Sequence, residues 1–124
     1  MTRLWALAVL LLSLSTQTAA EPTQDALSLR ISPKTAIGNA TLTIYPRISR
    51  HADNRAYSIT VMCGDLEIAR SIRQLDGKAA EPTQPPMRVA KLPSCEYVIR
   101  ALLVRVVEGE ERIVDRRTVV FLVW

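Results

Sequence analysis

The most informative segment for the fold is Leu92-Pro93-Ser94-Cys95-Glu96-Tyr97-Val98-Ile99-Arg100-Ala101. Its Leu-Pro pair indicates a turn, because proline interrupts regular backbone hydrogen bonding. Residues 96–107 then predict a strand, in which successive side chains point to opposite faces, and both faces carry apolar side chains. The chain turns again at residues 108–111, and an equally apolar strand covers residues 112–124. These two strands predict an apolar β-hairpin.

Upstream, shorter segments show the same alternation between turn-forming residues. Pro46 is expected to end regular pairing or to mark an edge, and residues 34–39 and 78–86 are expected to be a turn and a proline-rich loop. Leu66, Ile68 and Ile72 are the expected anchors of the least regular strand. No window after residue 20 shows a sustained helical period. The other predicted strands cover Leu27–Ser32, Ala40–Tyr45, Tyr57–Cys63, Leu66–Leu75 and Met87–Leu92. About seven short strands predict an all-β sandwich.

The first twenty residues have the layout of a secretory signal peptide. A short basic start, Met1-Thr2-Arg3, precedes an apolar run from Leu4 to Leu14, and Thr18-Ala19-Ala20 provides small residues for cleavage. The apolar run is too short to span a bilayer, which takes about 20 residues. We therefore predict a signal peptide at 1–20, a flexible segment at 21–26 and a domain at 27–124. The product is expected to be exported to the periplasm or the extracellular space.

Cys63 and Cys95 are the two cysteines of the chain. An oxidising compartment favours a disulfide between them, and two free thiols are the alternative. A zinc site has little support, because zinc requires about four ligands and His51 is the single histidine. We predict no metal and no cofactor.

The stretch 92–101 resembles the start of the sixth strand in immunoglobulin-like and fibronectin type III-like domains. In these domains a Leu-Pro turn precedes a tyrosine that begins an alternating apolar strand. Residues 54–57 and 75–77 also look like parts of uncharacterised bacterial secreted proteins with such domains. The resemblance covers residues 27–124 and implies that Tyr97 is a tyrosine corner, its hydroxyl bonded to backbone a few residues upstream. Two departures are the missing tryptophan on the third strand and a cysteine spacing shorter than in antibodies.

The resemblance also implies where the cysteines lie. In such sandwiches the third and sixth strands are antiparallel neighbours in one sheet. Cys63 ends the predicted third strand and Cys95 begins the sixth. We therefore expect the disulfide to join neighbouring strands of one sheet, with Cα atoms roughly 4.4–6.8 Å apart.

The last two strands carry more apolar residues than one buried face needs. One set of side chains must therefore be covered or exposed. An exposed apolar sheet face in a small exported domain suggests binding to a protein partner or self-association. The alternatives are cover by a loop or by the N-terminal segment, and a bulge that switches facing. The candidate partner face is Val98, Leu102, Val104, Val120, Leu122 and Trp124.

The loop from residue 47 to residue 55 is a second candidate surface. It could dock an acidic partner, an anionic glycan or a lipid headgroup, and the alternative is a solvated loop in which Arg55 pairs with an acidic neighbour. The candidate basic patch is Arg47, Arg50, His51 and Arg55.

Enzymatic function has the least support. His51 and Asp53 have no Gly-x-Ser-x-Gly elbow or glycine-rich loop beside them, so we assign no catalytic residue and rank a small hydrolase last. The net charge is +4, but no Lys/Arg block with interleaved aromatic residues is present, so nucleic-acid binding is not expected. The leading prediction is a non-catalytic protein-binding or accessory module. The alternative is a small enzyme inhibitor that uses the proline-rich loop 78–86.

Overall fold

The computed structural model describes residues 26–124, which form eight strands and one 3-10 helix, Gly77–Ala79. The predicted signal peptide, 1–20, and residues 21–25 of the predicted flexible segment lie outside the described residues. The predicted all-β fold is confirmed, and the additional strand is β2, which lies inside the segment expected to be a turn. In chain order the strands are β1 Leu27–Ser32, β2 Thr35–Ala36, β3 Ala40–Ile48, β4 Asn54–Cys63, β5 Leu66–Gln74, β6 Met87–Leu92, β7 Cys95–Val107 and β8 Glu110–Val123.

The strands form a sandwich of two sheets. One sheet has three strands in the order β1-β3-β6, and the other has five in the order β2-β8-β7-β4-β5. β2 pairs with β8 in parallel, and the other neighbouring pairs are antiparallel. The β7–β8 hairpin predicted from the sequence therefore lies inside the larger sheet, with β4 and β5 on one side.

The core fills the space between the two sheets. Alternate residues of each strand point inward, because successive side chains in a strand face opposite ways. Full burial of a large apolar side chain contributes roughly 1.5–3 kcal/mol. The sandwich therefore leaves two outer faces to solvent, one on each sheet. The largest fully buried side chains include Tyr57, Tyr97, Phe121, Leu27, Leu42, Ile44, Ile59, Leu92, Ile99 and Leu103.

β3 continues through Pro46 to Ile48 and stays paired with β1 there, so the expectation that Pro46 ends pairing or marks an edge was wrong for the β1 side and holds only for the β6 side. β3 is in fact the central strand of its sheet. The missing N–H costs no ladder hydrogen bond, because the pairing of β6 with β3 reaches only as far as Ile44. Past that point the Pro46 carbonyl accepts a hydrogen bond from the Gln84 amide at 3.2 Å.

β5 faces differently from the prediction. Leu66 and Ile72 were expected to be anchors, but they are 64% and 61% exposed. A register shift between Val61 and Met62 of β4 leaves Ile68 as an extra residue of β5. After this bulge Ile72 lies opposite Ser58 and points outward, whereas Leu66 lies opposite Cys63 at the first position of β5 and is exposed there. Ile68 alone of the three packs against the core.

The predicted disulfide is confirmed. Cys63 and Cys95 are bonded, and their Cα atoms lie 6.2 Å apart. Cys63 is the last residue of β4 and Cys95 is the first of β7, and these two strands are antiparallel neighbours. The bond therefore joins adjacent strands of one sheet rather than crossing the core.

Tyr97 occupies the position that the resemblance implies for a tyrosine corner. Its side chain is fully buried, and its ring lies 6.2 Å from the ring of Phe121 between centroids. Its hydroxyl donates a hydrogen bond to the carbonyl of Pro93, four residues upstream, at 2.6 Å. This bond holds the turn before β7 against the end of the strand.

The two sheets are also linked at the β1 edge. The Leu27 amide donates to Oδ2 of Asp115 at 2.9 Å, and the Leu27 carbonyl accepts from Nε of Arg117 at 2.9 Å. Both side chains belong to β8 and point inward, since their β7 partners, Leu103 and Ala101, are buried. The start of β1 is therefore bound by side chains of the opposite sheet.

Candidate functional site: two outer sheet faces

The six residues of the candidate partner face lie on one surface, the outer face of the five-stranded sheet. Val98 and Val120 are direct cross-strand partners, and Leu102 and Val104 follow at alternate positions of β7. The inward positions of the same strand are fully buried, so the outward set is the one left to solvent. Trp124 is 69% exposed and Val120 is 51% exposed. Val98, Leu102, Val104 and Leu122 are partly exposed.

Three further apolar residues extend this surface, and the sequence prediction missed them. Met62 pairs with Val98, Ile113 pairs with Val104, and Ile72 pairs with Ser58 on the same side of the sheet. Ile72 was expected to be an inward anchor of its strand. The position of Met62 could have been predicted from the sequence, because side chains of β4 alternate between its two faces and Met62 falls on the face opposite Ile59 and Val61, which are buried.

The same face carries arginines between its apolar rows. Arg100 lies in the middle of the sheet, opposite Thr60 on β4 and Thr118 on β8. Arg116 lies opposite Leu102. Among residues 26–124 neither guanidinium forms an ion pair, whereas Arg70 on β5 is paired with Glu67. The surface is therefore apolar with two unpaired positive charges near its centre.

The predicted basic patch is not one continuous surface. Arg50 and His51 share the loop between β3 and β4, where both have acidic neighbours. Arg50 pairs with Glu81 at 3.3 Å, and Nδ1 of His51 lies 3.9 Å from a carboxylate oxygen of Asp53. The same Nδ1 accepts the Asp53 amide at 3.1 Å. Glu81 therefore pairs with the positive charge of Arg50, and the Asp53 carboxylate adds a negative charge beside His51.

The remaining two members of that patch point to different places. Arg47 is exposed on the outer face of the three-stranded sheet, opposite Ser28. Arg55 lines a cleft of about 430 Å³ together with Asp53, Asp76 and Lys78. Because this cleft mixes both signs of charge, it does not form a basic surface. It is lined by no serine, threonine, cysteine or histidine.

The proline-rich loop 78–86 lies against the end of β3. The Ile48 amide donates to the carbonyl of Pro82 at 2.8 Å, and the Gln84 amide donates to that of Pro46. Thr83 also forms an isolated antiparallel bridge with Arg47. An inhibitory loop is expected to protrude from its scaffold, whereas the middle of this segment is hydrogen-bonded along a strand.

Within residues 26–124, no three His, Cys, Asp or Glu side chains come together as a group that could hold a metal ion. Over the same residues, no helix has the length and apolar character needed to cross a membrane.

Comparison with known proteins identifies the fold alone. No family model matches the sequence, and no curated protein matches it significantly. The sulfur carrier protein SoxY from Chlorobium limicola f thiosulfatophilum is similar in structure, with a TM-score of 0.50 and 12% identity over 90% of this chain and 93% of that chain. Superoxide reductase (neelaredoxin) from Ignicoccus hospitalis has a TM-score of 0.51 and 10% identity over 80% of each chain. One is a carrier and the other an enzyme, so these similarities support the β-sandwich and do not select an activity.

Proposed function

We propose that this chain is an exported, non-catalytic binding module that docks a protein partner on the outer face of its five-stranded sheet. The observation that carries the proposal is the apolar surface around Val98, Leu102 and Val120. Several apolar side chains exposed on one face of a small domain mark an interaction site, because leaving them in water costs free energy that a partner recovers.

Export is supported by two independent features. The predicted signal peptide at 1–20 favours export, and the Cys63–Cys95 disulfide is of a kind that persists in oxidising compartments.

Charge favours a different protein over a second copy of this chain. Arg100 lies on the central strand of the five-stranded sheet. A twofold interface centred on this face would bring Arg100 close to the arginines of the second copy, and burying unpaired like charges is costly. The expected partner instead presents apolar side chains together with carboxylates that pair with Arg100 and Arg116.

The test uses the purified protein as bait in the exported fraction of its own cell, followed by purification of each captured protein. Val120→Lys removes apolar area, and Arg100→Glu reverses the central charge. Each variant is expected to weaken binding of the true partner by about tenfold or more. Lys78→Glu makes the same charge change on an exposed residue away from the face, and is expected to leave affinity within about twofold.

Two results would overturn the proposal. A partner whose affinity is unchanged by Val120→Lys does not use this face. A wild-type protein that sediments as a dimer, and becomes a monomer on Val120→Lys, assigns the face to self-association.

A further inference from the structure

Basic residues are concentrated on the three-stranded sheet. Its strands β1, β3 and β6 contain Arg30, Arg47, Arg88 and Lys91, and they contain no aspartate or glutamate. The acidic residues of the described chain lie in the loops and in the five-stranded sheet. The outer face of the three-stranded sheet is therefore positive without acidic groups between the arginines.

Cross-strand register places the three arginines in successive rows. The first row pairs Ser28 with Arg47, and the second pairs Arg30 with Tyr45. The third row contains Thr43, whose partner on β6 is Arg88. Rows on one face of a sheet are roughly 7 Å apart along the strands. The guanidinium groups are thus spread along the sheet and offset across its three strands.

Arg30 is held in place by an aromatic ring. Its guanidinium carbon lies 4.2 Å from the centroid of the Tyr45 ring. Stacking of this kind uses the flat face of the guanidinium and leaves the N–H groups at its edge available. Among residues 26–124, no carboxylate forms an ion pair with Arg30, Arg47 or Arg88.

A shallow concavity of about 360 Å³ lies between the first two rows. Arg30 and Arg47 line it, Tyr45 forms part of its wall, and Ser28 and Thr83 add hydroxyl groups. Guanidinium groups bind carboxylate, sulfate and phosphate oxygens through paired hydrogen bonds, and hydroxyls bind neutral sugar oxygens. The concavity therefore combines donors for anionic groups with donors and acceptors for a sugar ring.

We propose that the outer face of the three-stranded sheet binds an extended anionic polysaccharide. A single small anion would use one row, whereas three rows of positive charge match a chain with repeated anionic groups. A membrane surface fits less well, because none of the exposed large hydrophobic residues of the described chain lies on β1, β3 or β6. Single-stranded nucleic acid needs free aromatic faces for stacking, and Arg30 covers one face of Tyr45.

The experiment measures binding of the whole protein to dextran sulfate and to oligogalacturonate by isothermal titration calorimetry, with neutral dextran as the uncharged control. Binding of the charged chains is expected to weaken as salt rises. The triple variant Arg30→Gln/Arg47→Gln/Arg88→Gln is expected to lose about tenfold or more in affinity. The matched variant Arg70→Gln/Arg73→Gln/Arg112→Gln removes the same charge from exposed positions of the opposite sheet, and is expected to change affinity by less than about twofold.

Equal losses in the two triple variants would reduce the binding to net charge and overturn the proposal, as would the absence of binding to both anionic polymers. Vesicles with phosphatidylglycerol and a dT oligonucleotide are measured in parallel. Tighter binding of either one, lost in the first triple variant, reassigns the face to that ligand. If the first triple variant does not fold, Arg47→Gln and Arg88→Gln are measured singly, each with an expected loss of about threefold.

Discussion

Tyr97 combines two stabilising contacts in one side chain, and the two can be separated. Tyr97→Phe keeps the buried ring beside Phe121 and removes the hydrogen bond to the Pro93 carbonyl. We expect the free energy of unfolding to fall by about 1 kcal/mol, the net contribution of one such bond. Urea unfolding monitored by circular dichroism measures it.

Tyr45→Phe is the control for that substitution. Tyr45 is only partly buried, and it interacts with Arg30 through its ring, which phenylalanine retains. Its free energy of unfolding is expected to change by less than about 0.5 kcal/mol. Equal effects at the two positions would show that the Tyr97 hydroxyl contributes nothing specific.

The burial of Asn54 and its hydrogen bond to Arg105 could not be predicted from the sequence. The sequence placed it at the end of a polar loop, but its side chain is buried in the structure. Its amide donates to the Ser49 carbonyl at 2.9 Å, and its side-chain oxygen accepts from Nε of Arg105 at 2.7 Å. Arg105 is far away in sequence, so no local pattern predicts this contact. Tyr97 was identifiable because its partner lies four residues upstream.

For single strands, the alternation of apolar and polar residues predicts where each strand lies in the sequence. It does not always predict where the strand ends. β1 and β6 have the predicted limits, because each lies between turn-forming residues that neighbour it in sequence. The end of β3 depends instead on its neighbour β1, whose first residue, Leu27, pairs with Ile48. The facing of β5 depends on a bulge opposite β4. Both are properties of a pair of strands, which one strand's sequence does not contain.

The disulfide is an element-scale feature, since it ties the end of β4 to the start of β7. Cys63→Ala/Cys95→Ala is expected to lower the free energy of unfolding by about 3–4 kcal/mol, because the unfolded chain regains the entropy of an open loop. The cysteines are 32 positions apart. Urea unfolding of the double variant measures the loss, and wild-type protein in reducing agent is expected to show the same midpoint. A loss under about 1 kcal/mol would contradict this account.

At the scale of the whole molecule, the assignment of strands to sheets decides which charges are neighbours. Sequence proximity grouped Arg47 with Arg50, His51 and Arg55. The fold instead groups it with Arg30 and Arg88, which lie on two other strands of its sheet. The partner face was predictable because most of it lies on one hairpin, whereas the basic sheet face needs three strands that are distant in sequence.

Stability of the whole domain is expected to decline in alkali. Burial raises the pKa of Tyr57 and of Tyr97 above the ordinary value of 10.0, although the Arg73 guanidinium partly opposes this for Tyr57. In the unfolded chain both hydroxyls ionise near pH 10, whereas the folded chain keeps their protons. The contribution of these two protonated hydroxyls to the free energy of unfolding is therefore fully present below about pH 10. It is lost as the pH rises above that value.

Urea unfolding at a series of pH values from about 8 to 11 measures this decline. Tyr97→Phe removes one of the two ionising groups, so its stability is expected to depend less steeply on pH than that of the wild type. A wild-type curve that stays level, or an identical slope in the variant, would contradict the assignment.

The contacts that hold the start of β1 bear on how the molecule behaves in a crowded solution. An edge strand with free amides and carbonyls is a template on which another chain can extend the sheet and aggregate. The outward amide and carbonyl of Leu27 are bonded to Asp115 and Arg117 of the opposite sheet. At the start of β1, Leu27 therefore has no free backbone amide or carbonyl to pair with an incoming strand. The side chains of Asp115 and Arg117 thus protect this end of the edge strand against polymerisation.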